Sequence, residues 1–464
     1  MFYLNNIFNS IKKNNSILYV GIIFLFCLPF FYLTFFVHPS GDDYTYAFLE
    51  LKSPFYKALI DEYSLWNGRY FSNLLVLKNP LTFGFNNFLY YRIVLFVLQL
   101  GFFFSILLFF KKIKFFLELN LRVLFSFCFF FLYLILIPSL NEGFYWYTGY
   151  VTYQLAIIIF FVYFHFISLS LSRRMLVLLL FIQFLIIGCN EVAMIYMLFF
   201  HLIVYILNIK SNNKKKYLFL FISSVFFSLI VYFAPGNSVR ESYFIGVSHR
   251  FPHSFLMSVV QVGRFVLQLN AGLIIFLIAF IFYFKIPSIR ELALIRYKFD
   301  LLFIIPLLLF ILLFISIFPA YWNTGIMGQH RTVNFAYFFC IPFIFLWYIL
   351  LFARYETFFS KLFLIVNKYV LLVLLISIFS SKNFNGALTD IFYSKQIKFD
   401  QENQVRYSLI DWQLRNKKKD VFLSKLKTHP FSIFIYDLEK DPNHLVNIGY
   451  QRYWKIPGKV YLNP

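Results

Sequence analysis

Long apolar runs alternate with short polar ones from one end of the chain to the other. The apolar runs fall at about 17–37, 89–110, 122–138, 151–169, 173–189, 191–209, 217–233, 265–284, 300–318, 334–353 and 363–380. Each is roughly 17–22 residues, the length that carries an α-helix across a ~30 Å hydrocarbon layer. The runs are continuous, without the in–out alternation of a strand, which excludes a transmembrane β-barrel. The pattern therefore predicts an all-α polytopic membrane protein with about eleven spans and its termini on opposite sides.

The polar blocks carry topology. With the N-terminus inside, the inside loops are KKIK (111–114), Arg173-Arg174, KSNNKKK (210–216), KIPSIRELALIRYK (285–298) and Arg354–Lys361. All are basic, as cytoplasmic loops are. The outside regions are then 38–88, 139–150, 188–191, 234–264, 319–333 and the tail. The tail is lysine-rich as well, but long translocated regions are only weakly bound by the charge rule. This predicts a cytoplasmic N-terminus and an extracytoplasmic C-terminus. The heavy use of Phe, Ile, Asn and Lys suits an AT-rich bacterial genome, hence a bacterial cytoplasmic membrane. The first run follows a basic start and lacks a small-residue cleavage site, so it reads as a retained helix rather than a signal peptide.

Two outside regions are more than connectors. SPFYKALIDEYSLWNGRYFSNLL, within 38–88, mixes aromatic and polar residues as interfacial helices do. RFPHSFLMSVVQVGRFVLQL, in and just beyond 234–264, predicts another surface helix. The organisation expected is a membrane domain over 1–380 and a small soluble α/β domain over 381–464. In that tail KDVFLSKL and PFSIFIYDL have strand character, and DPNHLVNIGYQRYW reads as a capped helix.

Composition agrees. Of 464 residues 61% are hydrophobic and 13% charged, against about 45–50% and about 25% in soluble domains. Seventy phenylalanines cannot be hidden from water in a soluble fold of this length. The net charge of +22 does not indicate nucleic acid, because the lysines sit in short clusters between apolar blocks. Cys27, Cys128, Cys189 and Cys340 lie in or beside apolar runs with neither metal-site nor disulfide spacing.

Candidate chemistry gathers on the outside. Asp42 and Asp43, in HPSGDDYTYA, follow the first span; they read as a helix-end cap, as a base for an acceptor hydroxyl, or as ligands of a divalent cation such as Mg2+ or Mn2+. Glu142 lies among Trp146, Tyr147, Tyr150 and Tyr153, either an aromatic belt or a sugar-binding groove. Asn190 and Glu191 fall between two apolar runs, so Glu191 must meet a cationic partner or an aqueous cavity. Arg240, His249, His330 and Arg331 are cationic groups on the side that topology disfavours, which a strongly acidic ligand would explain. For the arginines the bland alternative is snorkelling at the interface.

These segments resemble the multi-pass GT-C glycosyltransferase superfamily, and within it the bacterial DUF6056 family, which looks related to GtrII-type glucosyltransferases. The likeness rests on GDDYTYA (41–47), NGRYFSN (67–73), WYTGYVTYQ (146–154), NE (190–191), APGNSVR (234–240), HRTVN (330–334) and YDLEKDPNHLVNIGYQRYW (436–454). It implies a GT-C-like bundle that transfers a sugar from a polyprenyl-phosphate donor, in contact with membrane lipids, to a glycan, lipid or protein acceptor on the extracytoplasmic face. By the resemblance, Asp42 or Asp43 deprotonates or orients the acceptor, and Glu142 and Glu191 orient sugar hydroxyls or support a metal. Arg240 and Arg331 would stabilise the leaving phosphate. Metal dependence varies within the superfamily.

Three other readings compete. A flippase of lipid-linked glycans predicts polar residues through the bilayer midplane, where these spans are mostly Phe, Leu and Ile. An acyl- or phosphoethanolamine-type transferase predicts a histidine–aspartate or metal-cluster spacing that is missing. A non-enzymatic assembly scaffold leaves the outside Asp, Glu and Arg set without a common purpose.

Overall fold

The computed structural model describes all residues except 1, 84–87, 112–118, 170, 245–248, 268, 287–288, 292, 294–299, 329 and 464. The basic residues at 112–114 and most of those at 287–298 therefore lie outside the described residues.

Every expected apolar run is helical over most of its described length. Among the described residues seven helices are long and apolar enough to cross a membrane: Leu18–Phe36, Phe88–Phe110, Tyr147–Ile167, Lys214–Tyr232, Leu301–Thr324, Arg331–Arg354 and Glu356–Phe379. Leu121–Leu136, Glu191–Leu207 and Gly272–Lys285 are shorter apolar helices, and Arg173–Ile187 has 15 residues. The chain is thus an all-α, multi-pass membrane protein. On Glu356–Phe379, Leu364 and Ile365 are 81% and 73% exposed. Rows of bare aliphatic side chains like these are stable against lipid, not water.

The chain forms two compact units, each discontinuous in sequence. The first comprises Met1–Phe127, Ser139–Tyr243 and Ala387–Pro464. In it Phe88–Phe110 packs on Leu155–Ile167, and Arg173–Ile187 packs on both Glu191–Leu207 and Lys214–Tyr232. Polar side chains stitch these helices internally, because lipid supplies no partners. Tyr163 Oη and His201 Nε2 are 2.6 Å apart, and His201 Nδ1 meets Ser224 Oγ. Gln183 donates to Ser223 Oγ at 2.8 Å. The described residues of 38–83 form three α-helices, Asp42–Lys52, Phe55–Leu65 and Tyr70–Leu77, and the short 3-10 turn Pro80–Phe83.

The tail is more helical than its sequence pattern predicts. Its helix Lys395–Arg415 is followed by the strand Val421–Ser424, which pairs in parallel with Val460–Asn463, Val421 opposite Val460. PFSIFIYDL is not a strand. Its amides are taken by side chains instead: Phe431 and Ser432 N–H donate to Asp390, and Tyr436 N–H to Ser40 Oγ. The expected capped helix is Leu445–Tyr453, and it packs on Asp42–Lys52. Its cap is His444, whose Nδ1 accepts from Val446 N–H.

The second unit comprises Cys128–Pro138 and Phe244–Gly386. The expected surface helix is there, Phe251–Val266, packed on Leu301–Thr324. Arg331–Arg354 packs on Leu301–Thr324 and on Leu269–Lys285. Phe276, Phe280, Phe352 and Phe359 interlock through edge-on ring contacts.

Candidate functional site

The acidic pair divides. Gly41, at φ +52°, turns the chain into the helix Asp42–Lys52, and φ in that region suits a residue without a side chain. Asp42 faces out at the first turn, while Asp43 is fully buried. One oxygen of Asp43 accepts from Thr148 N–H (3.1 Å) and Thr148 Oγ (2.6 Å). The other accepts from Tyr91 Oη (2.7 Å) and Ser40 N–H (3.2 Å). Burial pushes its pKa up to about 6, against the pull of those four donors. With each oxygen holding two donors, Asp43 is a structural anchor.

The donors come from an irregular stretch. Residues Asn141–Tyr145 and Tyr150–Gln154 form wide π-helical turns, with an extended break at Trp146 (φ −112°, ψ 118°). The break frees the amides of Tyr147 and Thr148, and Tyr91 Oη and Asp43 take them up. π-Turns are rare and cluster at functional sites. Gly149 packs where a Cβ would stand 2.1 Å from the Glu142 carbonyl oxygen, which fixes this tight return. Glu142 is half-buried and opens the first π-turn.

Trp146 and Tyr150 do not line a groove. Trp146 is 1% exposed, its indole N–H donating to Ser40 O at 3.0 Å, and Tyr150 is fully buried with its hydroxyl on Leu98 O. Neither ring offers a face to a sugar. Asn190 is also buried: it caps Glu191–Leu207 by accepting from Ala193 N–H and donates to Thr152 O.

Glu191 does meet a cationic partner. Arg69 Nε lies 3.0 and 2.9 Å from its two oxygens, and Nη2 lies 2.7 Å from Oε2. Arg240 Nη1 is 3.8 Å from Oε1. All three side chains are about one-fifth exposed. Arg69, the only arginine in residues 38–88, was not singled out as a site residue from sequence. Its standing as the lone arginine of that outside region is the available signal.

Backbone contact brings these motifs together. A Cβ on Gly68 would stand 2.3 Å from Val231 O, and one on Gly236 2.5 Å from Trp66 N. Asn237 completes the join, accepting from Gly68 N–H and donating to Val231 O. NGRY and APGNSVR are thus held backbone to backbone, with Arg240 one helical turn beyond Gly236.

The exposed acid has a neighbour too. Glu62, on Phe55–Leu65, has no hydrogen-bond partner for its Oε2 among the described residues. Burial, with the charges of Asp42 and Asp61 nearby, raises its pKa to about 7. Tyr46, one turn after Asp42 and on the same helix face, lies within electrostatic reach of Arg69. Asp42 and Tyr46, a turn apart on one helix, thus lie within electrostatic reach of Glu62 and of Arg69 respectively.

A second buried network joins the tail to the first loop. His38 Nδ1 lies 2.9 Å from Tyr407 Oη; its Nε2 lies 2.9 Å from both Asp400 Oδ1 and Arg92 Nη2. Burial lowers the His38 pKa to about 4, outweighing the Asp400 bond. The bonds of His38 and Arg92 hold Asp400 at about 2 despite its partial burial. His38 reads in sequence as an unremarkable loop histidine; only its distant partner reveals it.

His249, His330 and Arg331 belong to the second unit. His249 is exposed and lies against Trp322, ring centroids 4.8 Å apart. His330 precedes Arg331–Arg354 and meets Phe265 edge-on. Among the described residues no three His, Cys, Asp or Glu side chains come together to hold a metal ion. Asp42 and Asp43 do not fit as joint ligands, because both Asp43 oxygens are occupied by donors.

No family model, no curated protein and no solved structure matches the chain.

Proposed function

We propose that this chain is a glycosyltransferase that moves a sugar from a polyprenyl-phosphate donor to a cell-envelope glycan, lipid or protein on the extracytoplasmic face. The observation that carries the reading is the paired arginines on Glu191, with the helix Asp42–Lys52 placing Asp42 within electrostatic reach of Glu62 and Tyr46 within that of Arg69. In the topology proposed with it, all eleven apolar helices cross the bacterial cytoplasmic membrane, the shorter ones where the protein thins the bilayer. The basic loops face the cytoplasm, and residues 38–88 and the tail lie outside.

The acceptor hydroxyl sits at Asp42. Its oxygen attacks the anomeric carbon of the donor sugar, the bond from that carbon to the phosphate oxygen breaks, and the phosphate leaves with the electron pair. The proton passes to Asp42 and, through water, on to Glu62, whose raised pKa suits a group that takes and releases protons near neutrality. Arg240, bound loosely to Glu191, turns to the leaving phosphate, where a guanidinium offers paired donors. Arg69 stays on Glu191 and fixes the cluster. Glycan mass spectrometry of cells lacking the protein, against cells complemented with wild type or Asp42→Asn, tests the reading. A missing sugar restored only by wild type supports it, and an unchanged glycan profile in all three overturns it.

A further inference from the structure

The tail carries a second feature of binding character. A shallow, open surface groove is lined by Tyr393, Lys395, Lys398, Lys427, Thr428 and His429. One wall is the turn into the helix Lys395–Arg415, and the other is the 427–429 segment.

That second wall is held in place. Glu402 accepts from Lys427 N–H (2.8 Å), Thr428 N–H (3.2 Å) and Thr428 Oγ (2.6 Å). Just beyond, Asp390 accepts from Phe431 and Ser432 N–H. No carboxylate lines the groove, although Asp390 lies within electrostatic reach of Lys395. Lys398, Lys427 and His429 are exposed, and Tyr393 is 61% exposed.

The lining specifies a ligand. Ammonium groups favour anionic oxygens. Thr428 donates its hydroxyl hydrogen to Glu402, so towards a ligand its oxygen can only accept, as from a sugar hydroxyl. The Tyr393 ring adds apolar area of the kind that covers the C–H face of a sugar. We propose that this groove binds an acidic sugar segment, whose rings carry carboxylate or phosphate groups beside free hydroxyls. A lipid headgroup layer fits less well, because it offers the Tyr393 ring no C–H face to cover. Its role as the seat of the acceptor chain rests on the transferase reading; the binding itself does not.

The test uses the full chain in nanodiscs of neutral lipid, with oligogalacturonate as the probe and a neutral malto-oligosaccharide of equal length as control. Wild type should bind oligogalacturonate in a salt-sensitive manner. The variant Lys395→Gln/Lys398→Gln/Lys427→Gln should bind at least about tenfold more weakly, and the neutral sugar should not bind. Lys398→Glu, a single change at an exposed helix position, should weaken binding several-fold without altering the unfolding midpoint. Equal oligogalacturonate binding by wild type and both variants overturns the proposal. So does a loss confined to retained phosphatidylglycerol, read by native mass spectrometry. Asp42→Asn should leave the binding unchanged, so a failure of the transferase reading is seen separately.

Discussion

Arg69 engages both oxygens of Glu191 through one nitrogen, Nε, and adds a third bond from Nη2 at 2.7 Å, while Arg240 stands 3.8 Å away from the same carboxylate. The two arginines therefore have different work. Arg69→Ala strands a largely buried carboxylate and should cost about 2–4 kcal/mol of stability, seen as a lower unfolding midpoint in detergent. Arg240→Gln removes only a long contact at a partly exposed site and should fold normally. It should raise the donor concentration needed for half-maximal transfer by about tenfold or more. Equal unfolding losses in both variants would contradict this division.

The aspartates should separate in the same way. Asp42→Asn keeps the helix start and should yield normally folded protein with transfer reduced about a hundredfold or more. Asp43→Asn places an amide NH2 where two donors already point, which should cost about 1–3 kcal/mol. Size-exclusion profiles and unfolding midpoints, set beside transfer rates, distinguish the two. Normal stability in Asp43→Asn would remove its anchoring role.

Transfer should rise with pH through about 7, as Glu62 loses its proton and becomes able to receive one. Glu62→Gln should fold, transfer slowly, and show a profile flat over this interval. A wild-type rate that ignores pH between 6 and 8 would exclude Glu62 from the proton path.

Acid should loosen the tail. The folded pKa of His38 lies near 4, below its ordinary 6.5, so the unfolded form binds more protons between those values. Stability from the neutral, buried ring is complete above about 6.5 and declines as pH falls toward 4. Asp400 stays ionised over this whole interval, since its own pKa is about 2. Limited proteolysis should cut the 387–464 region faster at pH 5 than at pH 7.5. A variant His38→Phe, which cannot titrate, should lose that difference.

The helices were legible because the bilayer imposes a length and a composition that a sequence displays directly. Each of the eleven apolar runs is a helix, although only seven meet the length and composition of a span among the described residues. The need of Glu191 for a cation followed from desolvation alone, yet which cation did not. Arg69 lies 122 positions away, and its approach depends on glycines whose close contacts no periodicity reveals. Trp146 and Tyr150 misled for a related reason. An aromatic beside a carboxylate suggests a sugar platform, but the break at Trp146 turns the indole inward onto Ser40. The stretch 430–438 alternates like a strand and is not one, because Asp390 and Ser40 supply the partners a neighbouring strand would have given.

Gly68 and Gly236 each lie so near a neighbouring main chain that even a methyl group has no room. The spacing between the main chains that carry Arg69 and Arg240 is thereby set by backbone packing rather than by side chains that mutation could lengthen or trim. A variant that accommodates a bulkier sugar must carve space from the residues around this frame, and saturation mutagenesis should recover altered specificity at Tyr46 long before it does at either glycine.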